Sequence, residues 1–194
     1  MPRDTSLDAG YFDGVFAGDD DPWSLASSAY EDAKFARTIE VLADRRYPRA
    51  IEIGCAQGVL TRRLAPLCDD LLSIDISARA IALAQARCAE VATVRFAVAA
   101  FPAAAPATPH LDLAVLSEVA YYWSDTDLTR AGSWLAERVA VGGRIMLVHW
   151  IGETDYPQTG DDAVRLLRDA LGGAIVTEHE ERTADYRLDL WRRA

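Results

Sequence analysis

The apolar positions of the chain repeat with two spacings, and the alternation between these spacings outlines a series of strands and helices. Short apolar runs typical of buried strands lie at 49–53, 71–75, 94–98, 111–116 and 144–149. Apolar residues at helical spacing lie at 25–44, 57–66, 78–89, 125–140 and 161–171. Two more strands are predicted at 174–178 and 186–191, with the polar stretch 180–185 joining them as a hairpin.

Local signals set the expected ends of several helices. Ser24 and Ser77 precede helical patterns and are expected to act as N-caps. The run Val141-Gly142-Gly143 is expected to end a helix as a C-cap and turn.

Strands that alternate with helices predict an α/β fold. We expect a single doubly wound, mainly parallel seven-stranded sheet with a C-terminal antiparallel hairpin. A length of 194 residues fits a single domain. Residues 1–45 would form an N-terminal arm and lid helix, and residues 46–194 a Rossmann-like core.

The composition excludes several classes of protein. The net charge of −10, from 20 basic and 30 acidic residues, argues against a nucleic-acid partner. Three cysteines suggest neither a disulfide framework nor a zinc site, and no metal is expected. The first six residues lack a signal-peptide pattern, and no apolar run approaches the roughly 20 residues that span a bilayer. We therefore expect a cytoplasmic protein with no membrane partner.

The stretch from the first strand to the end of the second carries the main chemical signal. Glu52 ends an apolar run, and the small residues Gly54, Ala56 and Gly58 follow in a predicted turn before a helix. Asp75 ends the second strand, where a carboxylate can accept hydrogen bonds from both hydroxyls of a ribose. This much is shared by domains that bind NAD and domains that bind S-adenosylmethionine.

The first turn favours the second cofactor. A dinucleotide turn follows G-x-G-x-x-G and receives a pyrophosphate. Here Glu52 stands two residues before Gly54, where it would repel a pyrophosphate but suit a ligand with an ammonium group. An NAD-dependent oxidoreductase remains the alternative from another enzyme class, and a non-catalytic cofactor-binding module remains a third hypothesis.

The pattern resembles the first motif of class I S-adenosylmethionine-dependent methyltransferases, with Ala56 in place of the middle glycine. The closer resemblance is to the NodS-like branch, the nodulation protein S family, and covers roughly residues 11–148. The matching segments are Asp21-Pro22-Trp23, Ile51 to Gly58, Leu64 to Cys68, Ile74-Asp75-Ile76 with Arg79-Ala80-Ile81, and Ser117 to Tyr122.

The resemblance implies a cofactor site. Gly54, Ala56 and Gly58 would pack under the methionine part of S-adenosylmethionine, with Cys55 beside them as a small packing residue. Glu52 would orient the turn or reach the ammonium group through water. The residues implied for the ribose and adenine side are Asp75 on the ribose, Ile76 on the adenine, and Trp23 as a cap from the N-terminal arm. Many of these enzymes carry an Asp after the third strand for the adenine amino group, but this sequence has no acid there, so backbone groups and Phe101 are expected to substitute.

Four residues are candidates for the chemistry of the acceptor. Glu118 follows the fourth strand at the mouth of the site, where it either contacts cofactor or acceptor or forms a surface salt bridge or a cap. At least one of Tyr121 and Tyr122 is expected to line an acceptor pocket, while the other either lines it too or packs in the core. His149 ends the fifth strand and is either a base or a hydrogen-bonded structural residue.

The predicted function is S-adenosylmethionine-dependent methylation of a small polar molecule, with S-adenosylhomocysteine as the product. The resemblance implies N-methylation of an amino group, as on a chitooligosaccharide, so the expected acceptor is a small molecule such as an amino sugar or oligosaccharide. Methylation of a hydroxyl or carboxyl group on another metabolite remains an alternative. The loop 149–160 departs from the family pattern and should shape the acceptor pocket.

Overall fold

The structure, a computed structural model, describes residues 5–194. The first four residues of the expected N-terminal arm lie outside the described residues. The seven strands are β1 Tyr47–Ile53, β2 Cys68–Asp75, β3 Val94–Val98, β4 Leu111–Ser117, β5 Val139–Trp150, β6 Ile175–Arg182 and β7 Tyr186–Arg193. The six α-helices are α1 Ala9–Gly18, α2 Ala29–Leu42, α3 Val59–Leu64, α4 Ala78–Arg87, α5 Asp125–Arg138 and α6 Gly160–Leu171.

The strands form one sheet in the order β3-β2-β1-β4-β5-β7-β6. The first five strands in this order are parallel, while β7 is antiparallel to both β5 and β6. The predicted α/β architecture with its C-terminal antiparallel hairpin is therefore confirmed. The order reverses between β1 and β4, which places a ligand crevice above their carboxyl ends.

The central strands are buried on both faces, as expected for a sheet covered by helices. In β4, Ala114 and Leu116 face the core under α5 and α6, whereas Leu113 and Val115 face the core under α2 and α3. This burial explains the near-continuous apolar runs of the sequence. Within residues 5–194, no helix is both long and apolar enough to span a bilayer.

The N-terminal region differs from the prediction in two ways. Helix α1 was not expected, and it buries Phe12 and Phe16 on one face. Helix α2 begins at Ala29 because Ser28 is its N-cap, whereas Ser24 has a positive φ of 55° in the preceding turn. The Asp21 carboxylate holds that turn by accepting the Ala26 N–H.

Two further predictions were wrong at strand ends. The run 141–143 is not a helix C-cap, because α5 ends at Arg138 and β5 begins at Val139. Gly142 and Gly143 instead lie at a register shift between β4 and β5, where a Cβ on Gly143 would lie 2.9 Å from the Leu111 carbonyl. The polar stretch after residue 178 continues β6 to Arg182, because this edge strand exposes charged side chains.

Candidate active site

A cavity of about 550 Å³ lies above the carboxyl ends of β1, β2 and β4. The turn after β1 forms its floor, and the loop after β3 and the end of β5 form parts of its wall. Side chains from α1 and α2 cover it. The cavity therefore occupies the crevice that the reversal of strand order creates.

The turn after β1 brings the backbone close to the cavity. Gly54 has a φ of +80°, and a Cβ at this position would lie 2.9 Å from Val119 Cγ2. Ala56 also has a positive φ, 47°, and its N–H points back to donate to Asp75 Oδ2 at 2.9 Å. Gly54, Cys55 and Ala56 all line the cavity. Glycine is needed at 54 both for the backbone conformation and for the close approach of Val119.

Asp75 is fixed by backbone donors at the end of β2. Its Oδ2 accepts the Ala56 N–H, and its Oδ1 accepts the Ser77 N–H at 2.9 Å. Burial raises the pKa of this carboxyl group, and the backbone N–H donors oppose the shift. Each carboxylate oxygen can accept more than one hydrogen bond. The Asp75 carboxylate thus keeps capacity for a ligand hydroxyl in the cavity.

Glu52 lies beneath the turn after β1, on the same side of the cavity as Asp75, and it is almost fully buried. Its Oε2 accepts from Thr61 Oγ1 at 2.5 Å and from Ser73 Oγ at 2.8 Å. Burial raises the pKa of Glu52 to about 7, the two hydroxyl donors oppose this, and Asp75 adds to it. Glu52 therefore ties β1 to α3 and β2 beneath the turn.

Aromatic and aliphatic side chains cover the cavity on this side. Ile76, Phe101 and Trp23 all line it, as the sequence predicted, and Phe12 and Phe16 of α1 join them. The rings of Phe16 and Trp23 meet edge to face, with their centroids 5.5 Å apart. The N-terminal aromatic residues thus do more than anchor the arm, because they form part of the cavity wall.

Glu118 organises the opposite side of the cavity. Its Oε1 accepts from Lys34 Nζ at 2.5 Å, and its Oε2 accepts from the Tyr121 hydroxyl at 2.7 Å and the Trp150 N–H at 2.9 Å. Lys34 also donates to Glu31 Oε1 at 2.9 Å. Both Glu31 and Lys34 come from α2, so a helix that precedes the sheet supplies this charged group of residues.

Three tyrosines form the adjoining wall. Tyr121 and Tyr156 stack with a centroid separation of 5.5 Å, and Tyr122 meets Tyr156 edge to face at 4.7 Å. All three line the cavity. Burial raises the pKa of Tyr121 and of Tyr122 well above the ordinary value, so both hydroxyls stay protonated at neutral pH.

Two of the sequence-predicted site residues lie outside the residues that line the cavity. His149 is fully buried outside the cavity lining, and its Nε2 accepts the Ala120 N–H at 3.1 Å. Burial lowers the pKa of His149 to about 4, so its ring is neutral at pH 7, which favours the structural alternative for this residue. Gly58 also lies outside the lining, because it packs α3 against α4, where an added Cβ would lie 3.0 Å from Ala84.

Glu31 and Lys34 are site residues that the sequence pattern did not predict. Their spacing of three residues predicts only an ion pair along a helix. The one local signal is that Lys34 stands beside Phe35, on the buried face of α2. The contact between Lys34 and Glu118 joins positions 84 residues apart, so no local pattern could reveal it.

The charge of the cavity lining is strongly asymmetric. Six of its residues are acidic: Asp8, Glu31, Glu52, Asp75, Glu118 and Asp127. Among the described residues that line it, Lys34 alone carries a fixed positive charge, and two carboxylates already engage its ammonium group. The cavity therefore complements a cationic ligand and opposes a pyrophosphate.

Comparison with known proteins identifies relatives of the chain. A Bradyrhizobium diazoefficiens nodulation protein S is 34% identical over 107 residues, which cover 55% of this chain and 51% of the relative. A Sinorhizobium fredii nodulation protein S is 35% identical over 113 residues, covering 57% of this chain and 51% of the relative. The chain therefore matches about half the length of these curated relatives.

A solved structure shares the fold over nearly the whole chain. The N-methyltransferase NodS from Bradyrhizobium japonicum, in complex with S-adenosylhomocysteine, matches with a TM-score of 0.83 and 24% sequence identity. The match covers 95% of this chain and 97% of that one. The family model of nodulation protein S (NodS) matches residues 17–139. The chain belongs to the nodulation protein S (NodS) family.

Proposed function

We propose that the protein is an S-adenosylmethionine-dependent methyltransferase that acts on an amino group of a small polar acceptor, such as an amino sugar or oligosaccharide. The observation that carries the proposal is the turn after β1 joined to the Asp75 carboxylate, at the reversal of strand order. Family membership supports it, and the structural relative with the shared fold is named an N-methyltransferase.

The residues of the cavity fit this cofactor. The acidic lining suits a ligand with a sulfonium and an ammonium group, and it opposes the pyrophosphate of NAD. Ser117, at the end of β4, lines the cavity, and its buried Oγ has no hydrogen-bond partner in the described part of the chain. A polar ligand group there would satisfy this oxygen.

Each side chain of the cofactor side has a distinct proposed role. Asp75 would accept hydrogen bonds from the ribose hydroxyls, and Ile76 and Phe101 would flank the adenine. Gly54 would let the ligand approach the backbone, and Trp23 would cover it from the arm. When bound, the sulfonium group of the cofactor supplies the methyl carbon.

The chain contributes alignment and exclusion of water, which are the main requirements of methyl transfer. We propose that residues 1–45 act as the lid and residues 46–194 as the core. Apolar rings from the lid would keep water from the reacting groups. The acceptor amine must also lose a proton to expose its lone pair, which a modest base can accomplish. A cytoplasmic location stays a prediction.

Calorimetry with S-adenosylhomocysteine and with NAD tests the cofactor. We expect binding of S-adenosylhomocysteine and no measurable binding of NAD. Tight NAD binding without a response to S-adenosylhomocysteine would overturn the proposal and favour an oxidoreductase. The acceptor is tested by methylation assays on a glucosamine oligomer, its N-acetylated form and glucose. We expect methylation of the free amine alone. Methylation of a hydroxyl group would show that the protein methylates oxygen and would contradict the proposed amine acceptor.

A further inference from the structure

A cluster of three charged side chains, Glu31, Lys34 and Glu118, lies on one side of the cavity. Lys34 Nζ donates to Glu31 Oε1 at 2.9 Å and to Glu118 Oε1 at 2.5 Å. The Lys34 side chain is only 1% exposed. With both carboxyl groups ionised, two carboxylates share one cation, so the cluster carries a net negative charge in a buried setting.

The hydrogen-bonding capacity of the cluster is used unevenly. Both oxygens of Glu118 have partners, namely Lys34, the Tyr121 hydroxyl and the Trp150 N–H. Glu31 Oε2, in contrast, is buried and has no partner among residues 5–194, although Glu31 lines the cavity. A buried carboxylate oxygen without a donor is costly. Within the cluster, a hydrogen-bond donor from a ligand would therefore stabilise the Glu31 carboxylate most.

The position of the cluster separates it from the ribose side. Glu118 follows β4 and Trp150 ends β5, whereas Asp75 ends β2 and Phe101 follows β3. The turn at Gly54 follows β1, which lies between these two pairs of strands. A ligand that contacts Asp75 and crosses this turn reaches the cluster last, so we place the acceptor there.

The chemistry around Glu31 favours an ammonium group. An ammonium group would supply both the missing donor and the missing positive charge, whereas a hydroxyl group would supply only the donor. The rings of Tyr30, Tyr121 and Trp150 also line this part of the cavity and can face a cation. The Tyr30 ring already does so for Lys34, whose Nζ lies 4.9 Å from its centroid.

We propose that Glu31 binds the amino group of the acceptor and thereby makes the site specific for amines over alcohols. This inference rests on the proposed function, because it assigns the acceptor to the free half of the same cavity. Lys34, which also donates to Glu118, donates to Glu31 Oε1, so that Oε2 is left for the ligand.

The decisive experiment compares glucosamine and glucose, which differ by one amino group, in binding to the complex with saturating S-adenosylhomocysteine. Calorimetry or NMR titration measures both affinities in the wild type and in Glu31→Gln. The control is Glu40→Gln, which removes one carboxylate from the exposed side of the same helix, where Glu40 is 71% exposed. The affinity for S-adenosylhomocysteine alone is measured for each protein.

We expect the wild type and Glu40→Gln to prefer glucosamine by about tenfold or more, the size of a hydrogen bond to a charged group. Glu31→Gln should lose this preference and keep its affinity for S-adenosylhomocysteine. A preference that survives in Glu31→Gln would overturn the inference, and so would a wild type that binds neither sugar. Weaker binding of S-adenosylhomocysteine by Glu31→Gln would assign Glu31 to the cofactor and overturn it as well.

Failure of the proposed function has a different signature. If the wild type does not bind S-adenosylhomocysteine, the cofactor assignment fails, and the two sugars are titrated into the protein alone. A glucosamine preference that depends on Glu31 would then support the amine site without the methyltransferase.

Discussion

The two sides of the cavity hold their carboxylates in different ways. Asp75 accepts hydrogen bonds from the backbone N–H groups of Ala56 and Ser77. Glu118 accepts from the side chains of Lys34 and Tyr121 as well as from one backbone N–H. Backbone donors are fixed by the turn that follows a strand, whereas side-chain donors depend on the packing of a separate helix.

The geometry on the side of Asp75 therefore depends on local structure, whereas the geometry on the side of Glu118 depends on tertiary contacts. On the side of Asp75, the carboxylate is held by backbone groups of one strand, turn and strand, so its position depends on local structure. On the side of Glu118, a change in α2 or in the loop after β5 can alter which ligand binds while the sheet stays the same. We infer that cofactor binding depends on the first side and acceptor choice on the second.

The largest effect is expected from Lys34→Met, which leaves Glu31 and Glu118 facing each other without their buried cation. Removing one partner of a buried ion pair costs about 3–5 kcal/mol of the free energy of unfolding. Urea denaturation at pH 7.5 measures this loss. Thr38→Val is the control on the same helix, because the buried Thr38 hydroxyl donates to the Lys34 carbonyl and involves no charged group, and it should cost about 1 kcal/mol. Equal losses in the two variants would refute the role of charge.

The next effect is on the pH dependence of stability, to which the buried groups Glu52 and His149 contribute in opposite directions. The pKa of Glu52 is raised to about 7 in the folded protein, so its contribution to stability is complete below pH 4.5 and is lost as the pH rises to 7. The pKa of His149 is lowered to about 4, so its contribution is complete above pH 6.5 and is lost as the pH falls to 4. The two slopes oppose each other.

Each contribution is about 3 kcal/mol over its window. The wild type should therefore show little net slope from these two groups between pH 4.5 and 6.5. Glu52→Gln should gain stability with rising pH relative to the wild type, whereas His149→Asn should lose it. Denaturation series at several pH values check this, and parallel curves for the two variants would contradict it.

A smaller effect is expected from Asp75→Asn, whose single carbonyl oxygen cannot accept both backbone N–H donors and a ribose. The affinity for S-adenosylhomocysteine should fall by about 10- to 100-fold, since hydrogen bonds to charged groups contribute about 1.5–3 kcal/mol. Asp70→Asn, an exposed position of the same strand that pairs with Arg95, is the matched control. If calorimetry gave the same affinity for S-adenosylhomocysteine in both variants, the ribose would not bind at Asp75.

The same contrast explains how much of the site could be predicted from the sequence. Glu52, Gly54, Ala56 and Asp75 lie within one strand, turn and strand, so their spacing revealed their position. Glu31 joined the site through contacts that no local pattern encodes. The position of His149 at the end of a strand fitted either a base or a structural residue, and the choice depends on tertiary contacts: the ring is buried, and its Nε2 accepts the Ala120 N–H.

The fold followed from the sequence where burial dominated. The apolar runs predicted all seven strands, since the central strands are buried on both faces. Helix α1 was missed because glycine and aspartate, at Gly10, Asp13 and Gly14, have low helix propensity. Its signal was the spacing of Phe12 and Phe16, both buried in the structure. Packing of Phe12 and Phe16 against the core stabilises α1 despite its low helix propensity.

In the proposed function, one cavity has a cofactor side at Asp75 and an acceptor side at Glu31. The most direct measurement is calorimetry of S-adenosylhomocysteine, and then of glucosamine at saturating S-adenosylhomocysteine, on Asp75→Asn and Glu31→Gln. We predict that Asp75→Asn weakens only S-adenosylhomocysteine and that Glu31→Gln weakens only glucosamine. Loss of both affinities in each variant, or the reverse assignment, would contradict the division of the cavity into two sides.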